Sequence, residues 1–365
     1  MIRQYMTNGI AKFSNVQIYQ HTNTSKVELM RVGQTSYHYP TLMDEGQPEI
    51  LRVEQDLIPL DLGKNASRLY ASTITAPNIP IKQLRNGAYF YWWSRPLINY
   101  YHFIVDGVGC LWHYFELQKT IPDIKLLLNQ TPRPDINKYP PYVFELLNLL
   151  DIDYELTDDT HQYESLYVGD TLCQDKQGKR QKPKPEQYEL LERIIRSAHS
   201  SVHDVPQYEK IYLSRRTHAN PRYTKDLIGE DNTQKRGLIN EDEVVEILSK
   251  LGYTEVFGEN YTLAEKIVLF GGMSKYISSA GAGVTNILWV RNQDVHVGGI
   301  HTPGFPFPGN NHSRHICTQR PYSRAIISTY HGKVLFLDEK QGLKNYNSLW
   351  YINNLDAFAK WAKTI

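Results

Sequence analysis

A chain of 365 residues is long for one hydrophobic core, so two domains of ordinary size are expected. Hydrophobic residues at 41% and charged residues at 22% are globular values, which excludes a largely disordered chain. With 40 basic against 39 acidic side chains there is no global field to recruit nucleic acid, and any anionic partner has to be met locally.

Cys110, Cys173 and Cys317 are odd in number and scattered, so a reducing compartment is expected rather than a disulfide framework. Met1 to Gly9 is polar and lacks the apolar centre of a secretion signal, and no apolar run is long enough to span a bilayer. The expectation is a soluble cytoplasmic protein. Tyrosine, at 26 residues, is the compositional oddity; its apolar body and polar tip suit clefts that bind sugars or peptides, and equally suit an ordinary core and surface.

From Ile2 to about Tyr70 short alternating runs such as Val16-Gln-Ile-Tyr19 predict strands and turns without a motif. Gly87-Ala-Tyr-Phe-Tyr-Trp-Trp93 predicts a buried strand. In Asn99 to Phe115, Ile104, Val108, Leu111 and Phe115 make one apolar helical stripe, with His102, Asp106 and His113 nearly opposite; His102 and Asp106, at i and i+4, can touch. Such a helix is either solvated on its polar face or lines a cleft. Further on, Ile124 to Leu128, Tyr142 to Leu150 and Leu166 to Val168 alternate strand and helix, the mark of a mostly parallel sheet. Lys176 to Lys184 carries five basic residues, read as a solvated loop or as contact with an acidic membrane surface or anionic acceptor.

The alternation restarts after a boundary near Pro206. Lys210-Ile-Tyr-Leu-Ser214 predicts a strand ending at Arg215 and Arg216, where ligands of open α/β sheets usually sit. The two arginines suit a diphosphate clamp or a surface ion pair. Asn240-Glu-Asp-Glu243 and Thr262-Leu-Ala-Glu265 have the form of capping boxes. Lys275 to Ser279 predicts a strand, Ala280 to Gly283 a small-residue loop, and Val284 and Thr285 the start of a helix; exposed amides there would receive a phosphate, with Gly281 and Gly283 letting it approach. The loop lacks the third glycine of a dinucleotide fingerprint, which disfavours an NAD enzyme. His296, His301, His312, His315 and Cys317 lack a standard zinc spacing, so no metal site is expected.

Four ordered blocks resemble glycosyltransferase family 61: Asn99-Tyr-Tyr-His102 with Asp106, Ile211-Tyr-Leu-Ser-Arg-Arg216 with Asn240-Glu241, Leu263-Ala-Glu-Lys-Ile267, and Gly281-Ala-Gly-Val-Thr-Asn286. Two departures stand out. Ala280 occupies the place of the family's usual histidine, and Gly107-Val-Gly109 that of a more usual Leu-Pro.

The resemblance implies a GT-B architecture, two Rossmann-like domains facing across a cleft, here with a β-rich N-terminal extension. The expected parts are an acceptor-side domain over 1–205, a nucleotide-sugar domain over 206–340 and a C-terminal helix in 341–365 packing back on the first domain. It implies an inverting, metal-independent hexosyl- or pentosyltransferase that uses a nucleotide sugar, UDP-linked by expectation, as co-substrate and no cofactor. Asp106 would be the base, with His102 orienting it or acting in its place. Ser214, Arg215, Arg216, Gly281, Ala282, Gly283 and Thr285 would bind the donor diphosphate, and Glu241 and Asn286 its sugar or ribose. The acceptor would be a glycan or lipid-linked glycan of a surface or capsular polysaccharide, met at the cytoplasmic membrane face. A catalytically lapsed sugar-binding protein and a sugar-nucleotide epimerase are the alternatives.

Overall fold

The computed structural model describes residues 5–6, 10–19, 29–32, 35–38, 70–72, 80–92, 95–130, 138–158, 160–169, 185–216, 238, 240–279, 281–292, 294–301, 324–334 and 350–365, with side chains for those from 80 onward except 95, 96, 185, 187, 324–327, 334 and 350. The basic run Lys176 to Lys184, Cys173, Ala280, and the stretch holding His312, His315 and Cys317 lie outside the described residues. The chain divides into two compact units, 1–143 with 151–190, and 144–150 with 191–365.

In the first unit the strands are β1 (Tyr5–Met6), β2 (Ile10–Tyr19), β3 (Leu29–Val32), β4 (Thr35–His38), β5 (Tyr70–Ser72), β6 (Gln83–Tyr91), β7 (Lys125–Asn129), β8 (Tyr154–Thr157) and β9 (His161–Gly169). They form one sheet in the order β5-β4-β3-β2-β9-β6-β7-β8, with β1 beside β2. Strands β9, β6, β7 and β8 run parallel. The antiparallel strands β1 to β5 join them through an antiparallel β2–β9 pair. Phe90, Tyr91, Leu126, Leu127 and Leu128 are all buried, the continuous apolar character of strands covered on both faces.

Between β6 and β7 lie α1 (Tyr100–His102), a π turn (Phe103–Gly107) and α2 (Val108–Gln118). Helix α3 (Pro141–Leu149) comes after β7 and crosses the boundary between the units, as does α4 (Pro185–Ser201).

The second unit is built on β10 (Lys210–Leu213), α5 (Glu241–Lys250), β11 (Thr254–Val256), α6 (Leu263–Gly271), β12 (Lys275–Ser279), a 3₁₀ helix (Ala282–Trp289), β13 (Asp294–His301) and β14 (Arg324–His331). Its sheet, in the order β11-β10-β12-β13-β14, is parallel throughout. A small antiparallel pair, β15 (Lys333–Val334) and β16 (Trp350–Tyr351), precedes α7 (Leu355–Ala362). Parallel strands alternating with helices make this a mixed, Rossmann-like α/β protein. Phe358 and Ala362 of α7, together with Ile365, pack with Tyr212, Val244, Leu248 and Ile277. The apolar face of the C-terminal helix is therefore used inside the second unit, where the sequence suggested a return to the first.

Local signals explain the helix boundaries unevenly. Thr262 and Glu265 form the expected capping box of α6, the Thr262 hydroxyl accepting from Glu265 N at 3.3 Å and Glu265 Oε2 accepting from Thr262 N at 2.7 Å. Asn240 does not cap α5. Its amide instead bonds the backbone of Ile352 twice, at 2.9 Å each, so a tertiary contact displaces the local one. Among the described residues no helix is long and apolar enough to cross a membrane.

Candidate active site

In the first unit, Asn99 is the N-cap of α1, its Oδ1 accepting from Tyr101 N at 3.0 Å and His102 N at 3.4 Å. The backbone then widens: Val108 N donates to Phe103 O, five residues back, and Phe103 to Gly107 form a π turn, a geometry frequent at functional sites. Trp92 Nε1 donates to Gly107 O at 2.8 Å, tying the turn to the end of β6. A Cβ at Gly107 would stand 2.8 Å from Leu97 Cδ2, so the close approach there needs glycine. On this frame His102 Nδ1 and Asp106 Oδ2 are 2.7 Å apart. The Asp106 side chain is 5% exposed and the His102 side chain 13%.

The rest of that helix departs from the stripe-and-polar-face expectation. Leu111 and Val108 are buried, but so are Cys110, His113 and Tyr114 on the other sides, while Phe115 is only half-buried. The face of Trp112, Phe115, Glu116 and Lys119 stays partly open, but burial spreads well beyond one stripe, and the π turn rotates α2 out of a simple 3.6-residue pattern continuous with α1. His113 packs against Gly169, where a Cβ would come within 2.6 Å of its ring. It faces the sheet, not solvent.

In the second unit, the C-terminal ends of the parallel strands share one edge. Glu241, at the start of α5 and 4% exposed, places Oε1 where Tyr212 Oη (2.7 Å), Ser214 Oγ (2.9 Å) and Arg215 N (3.0 Å) all donate to it. The carboxylate also faces the positive end of α5. Burial, and then Glu241, raise the pKa of Tyr212 well above its ordinary value and keep it a neutral donor. Ser214 Oγ accepts from Arg216 N at 3.2 Å. The Arg216 guanidinium is held by Glu255, its Nε 2.8 Å from Oε1, and by Asp242; Glu255 is the main reason its pKa is raised further. Of the two expected readings for Arg216, the ion pair is the one its contacts make.

The small-residue loop after β12 meets the end of β10. A Cβ at Gly283 would lie 2.3 Å from Leu213 Cδ2, and Tyr276 Oη donates to Gly283 O at 2.8 Å. The helix after the loop starts at Ala282 and is 3₁₀, tighter than the ordinary helix expected at Val284. Thr285 is buried and its hydroxyl donates to Ala282 O at 2.7 Å; Asn286 is buried as well. The loop is thus fitted onto β10 and β12, and Ser214, Arg215, Glu241, Gly281 and Gly283 are gathered at one strand-end edge.

His301 and His331, the last residues of β13 and β14, pair in register on that same edge with ring centroids 5.9 Å apart. Burial, with His331 beside it, pulls the pKa of His301 down to about 4, so its ring is neutral near pH 7. Spacing along the chain groups His301 with His296, His312, His315 and Cys317. Its partner His331 escapes such a grouping because strand register, not proximity along the chain, brings the two together.

In α/β chains of the open-sheet class, ligands bind at strand-end edges of this kind. Residues 100–297, more than half of the chain, match the family model Glycosyltransferase 61. The chain belongs to glycosyltransferase family 61 and is a glycosyltransferase, with a sugar donor and a glycan acceptor as its general substrates. No curated protein matches it.

Proposed function

We propose that this glycosyltransferase moves a sugar from a nucleotide sugar, UDP-linked, to a glycan hydroxyl with inversion at the anomeric carbon. The observation that carries the reading is the 2.7 Å contact between His102 and buried Asp106 on the π turn. Inversion in one displacement needs one base, which takes the acceptor hydroxyl proton as the oxygen attacks and the nucleoside diphosphate leaves. A buried carboxylate holding Nδ1 of a more exposed imidazole is the pairing that leaves Nε2 to meet a substrate proton. The geometry therefore favours His102 as the proton acceptor and Asp106 behind it, the reverse of the order that the sequence favours.

The leaving diphosphate is assigned to Arg215 and the backbone amides of Gly281 to Gly283, which need no metal to offset its charge. Glu241, Thr285 and Asn286 are assigned to building that edge, and Arg216 to its outer ion pairs. The first unit is read as the acceptor side, the product as a surface or capsular polysaccharide, and the place of action as the cytoplasmic membrane face. The basic run Lys176 to Lys184 supports the last point by its charge.

The test is transfer of radiolabelled sugar by His102→Ala and Asp106→Asn. Each is expected to lower kcat by about 10²–10⁴-fold with donor affinity unchanged. If His102→Ala keeps most of its turnover while Asp106→Asn does not, Asp106 is the base. If both remain active, the pair has no part in the chemistry.

A further inference from the structure

Asn129 ends β7, is 0% exposed, and among the described residues neither its Oδ1 nor its Nδ2 has a hydrogen-bond partner. A side-chain amide offers two N–H donors and an acceptor oxygen. Closing it off unsatisfied costs stability. A leucine of similar shape would fill the space without that cost, which points to a ligand as the partner of the amide.

Its position says what it serves. Asn129 lies at the C-terminal end of a strand flanked by the parallel strands β6 and β8, where ligands of open α/β sheets collect. Trp92 N donates to Leu127 O at 2.9 Å and Trp92 Nε1 to Gly107 O, so the turn carrying Asp106 is moored two residues before Asn129 on β7, a span of about 7 Å. From the other side, Tyr139 Oη donates to Asn129 O at 3.1 Å, and Tyr142 packs on Phe103 and Tyr100 with ring centroids 4.6 Å and 5.3 Å away. Tyr139, an aromatic ring with a polar tip that meets the Asn129 backbone, is a neighbour of the kind that suits a sugar ring.

We propose that Asn129 binds the acceptor, its Nδ2 donating to one hydroxyl of a sugar and its Oδ1 accepting from the adjacent one. The proposal rests on the reading of the first unit as the acceptor side. Because the amide is fully covered, binding includes the cost of opening that strand end.

The experiment uses the full chain and, as probes, methyl β-D-galactopyranoside, methyl β-D-glucopyranoside and methyl β-D-xylopyranoside, with binding read by saturation-transfer NMR. In Asn129→Leu the melting temperature is expected to hold or rise, while affinity for the bound probe falls about tenfold or more, the worth of one or two hydrogen bonds. Donor affinity stays within twofold. Asn129→Asp, which keeps an acceptor oxygen but no N–H, is the second variant and is expected to weaken binding too. A lowered melting temperature with unchanged probe affinity makes the amide a structural one. A raised melting temperature with unchanged affinity makes it the seat of an internal water only. A wild-type chain that binds none of the three probes also overturns the proposal. A failure of the base assignment is seen in the turnover of His102→Ala, and a failure here in the probe binding of Asn129→Leu, so the two are read apart.

Discussion

Glu241 holds three donors from three successive points of one strand end on a single carboxylate oxygen, and those donors lie 26, 27 and 29 positions away in sequence. Only the folded sheet brings them together, which is why its sequence block suggested a donor contact and concealed the scaffold role. The two roles separate by measurement. Glu241→Ala would strand the Tyr212 and Ser214 hydroxyls and Arg215 N, and is expected to lower stability by about 2–4 kcal/mol, read from the urea midpoint at constant slope. Glu241→Gln keeps an oxygen in place and should cost about 1 kcal/mol, since charged hydrogen bonds are roughly twice as strong as neutral ones. Should Glu241→Ala leave the midpoint unchanged and abolish donor binding, Glu241 touches the donor directly.

At the scale of elements, structure that depends on neighbours along the chain was legible. Strand β12 and the capping box of α6 arise from residues within four positions of one another. Gly252, just past α5, has φ of 84°, the left-handed value a glycine stop uses. Structure that depends on distant contacts was not legible: Asn240 turns to Ile352, 112 positions away, and the π turn breaks the helical count between Asn99 and Phe115. Gly283 shows how one residue type serves two readings. The sequence suggested open space for a phosphate, whereas the structure adds Leu213 packed where a side chain would go. Gly283→Ala is therefore expected to lower stability by about 1–3 kcal/mol by overpacking. Combined with Leu213→Ala, the loss should be smaller than the sum of the two singles, because the second change vacates the space the first needs. A strictly additive pair, or a Gly283→Ala chain as stable as wild type, would show that the loop relaxes and that ligand approach alone requires the glycine.

On the scale of the whole molecule, the order of parallel strands and helices was readable from alternation, and the family match runs through residues of both units. The candidate residues of the two units differ in kind. The His102–Asp106 pair belongs to one continuous segment and was visible as an i, i+4 spacing. The strand-end edge of the second unit is assembled from β10, α5 and the loop after β12, so only its pieces could be seen. A donor that binds the folded chain should stabilise it by RT ln(1 + [L]/Kd), about 2.7 kcal/mol at a hundredfold excess over Kd. For a cooperative unit the size of the second, each kcal/mol moves its melting temperature by about 2–4 °C. Screening UDP, GDP and CMP sugars by thermal shift is expected to single out one nucleotide, UDP, with a rise of about 5–10 °C. The two neighbouring arginines then provide the control. Arg215→Ala should shrink the rise, because Arg215 stands on the turn that Glu241 and Ser214 hold in place. Arg216→Ala should leave it intact, because that guanidinium is already engaged by Glu255 and Asp242. An equal rise in wild type and Arg215→Ala would move the diphosphate away from the β10 edge, and loss of the rise in Arg216→Ala alone would mean that the outer ion pairs open to receive it.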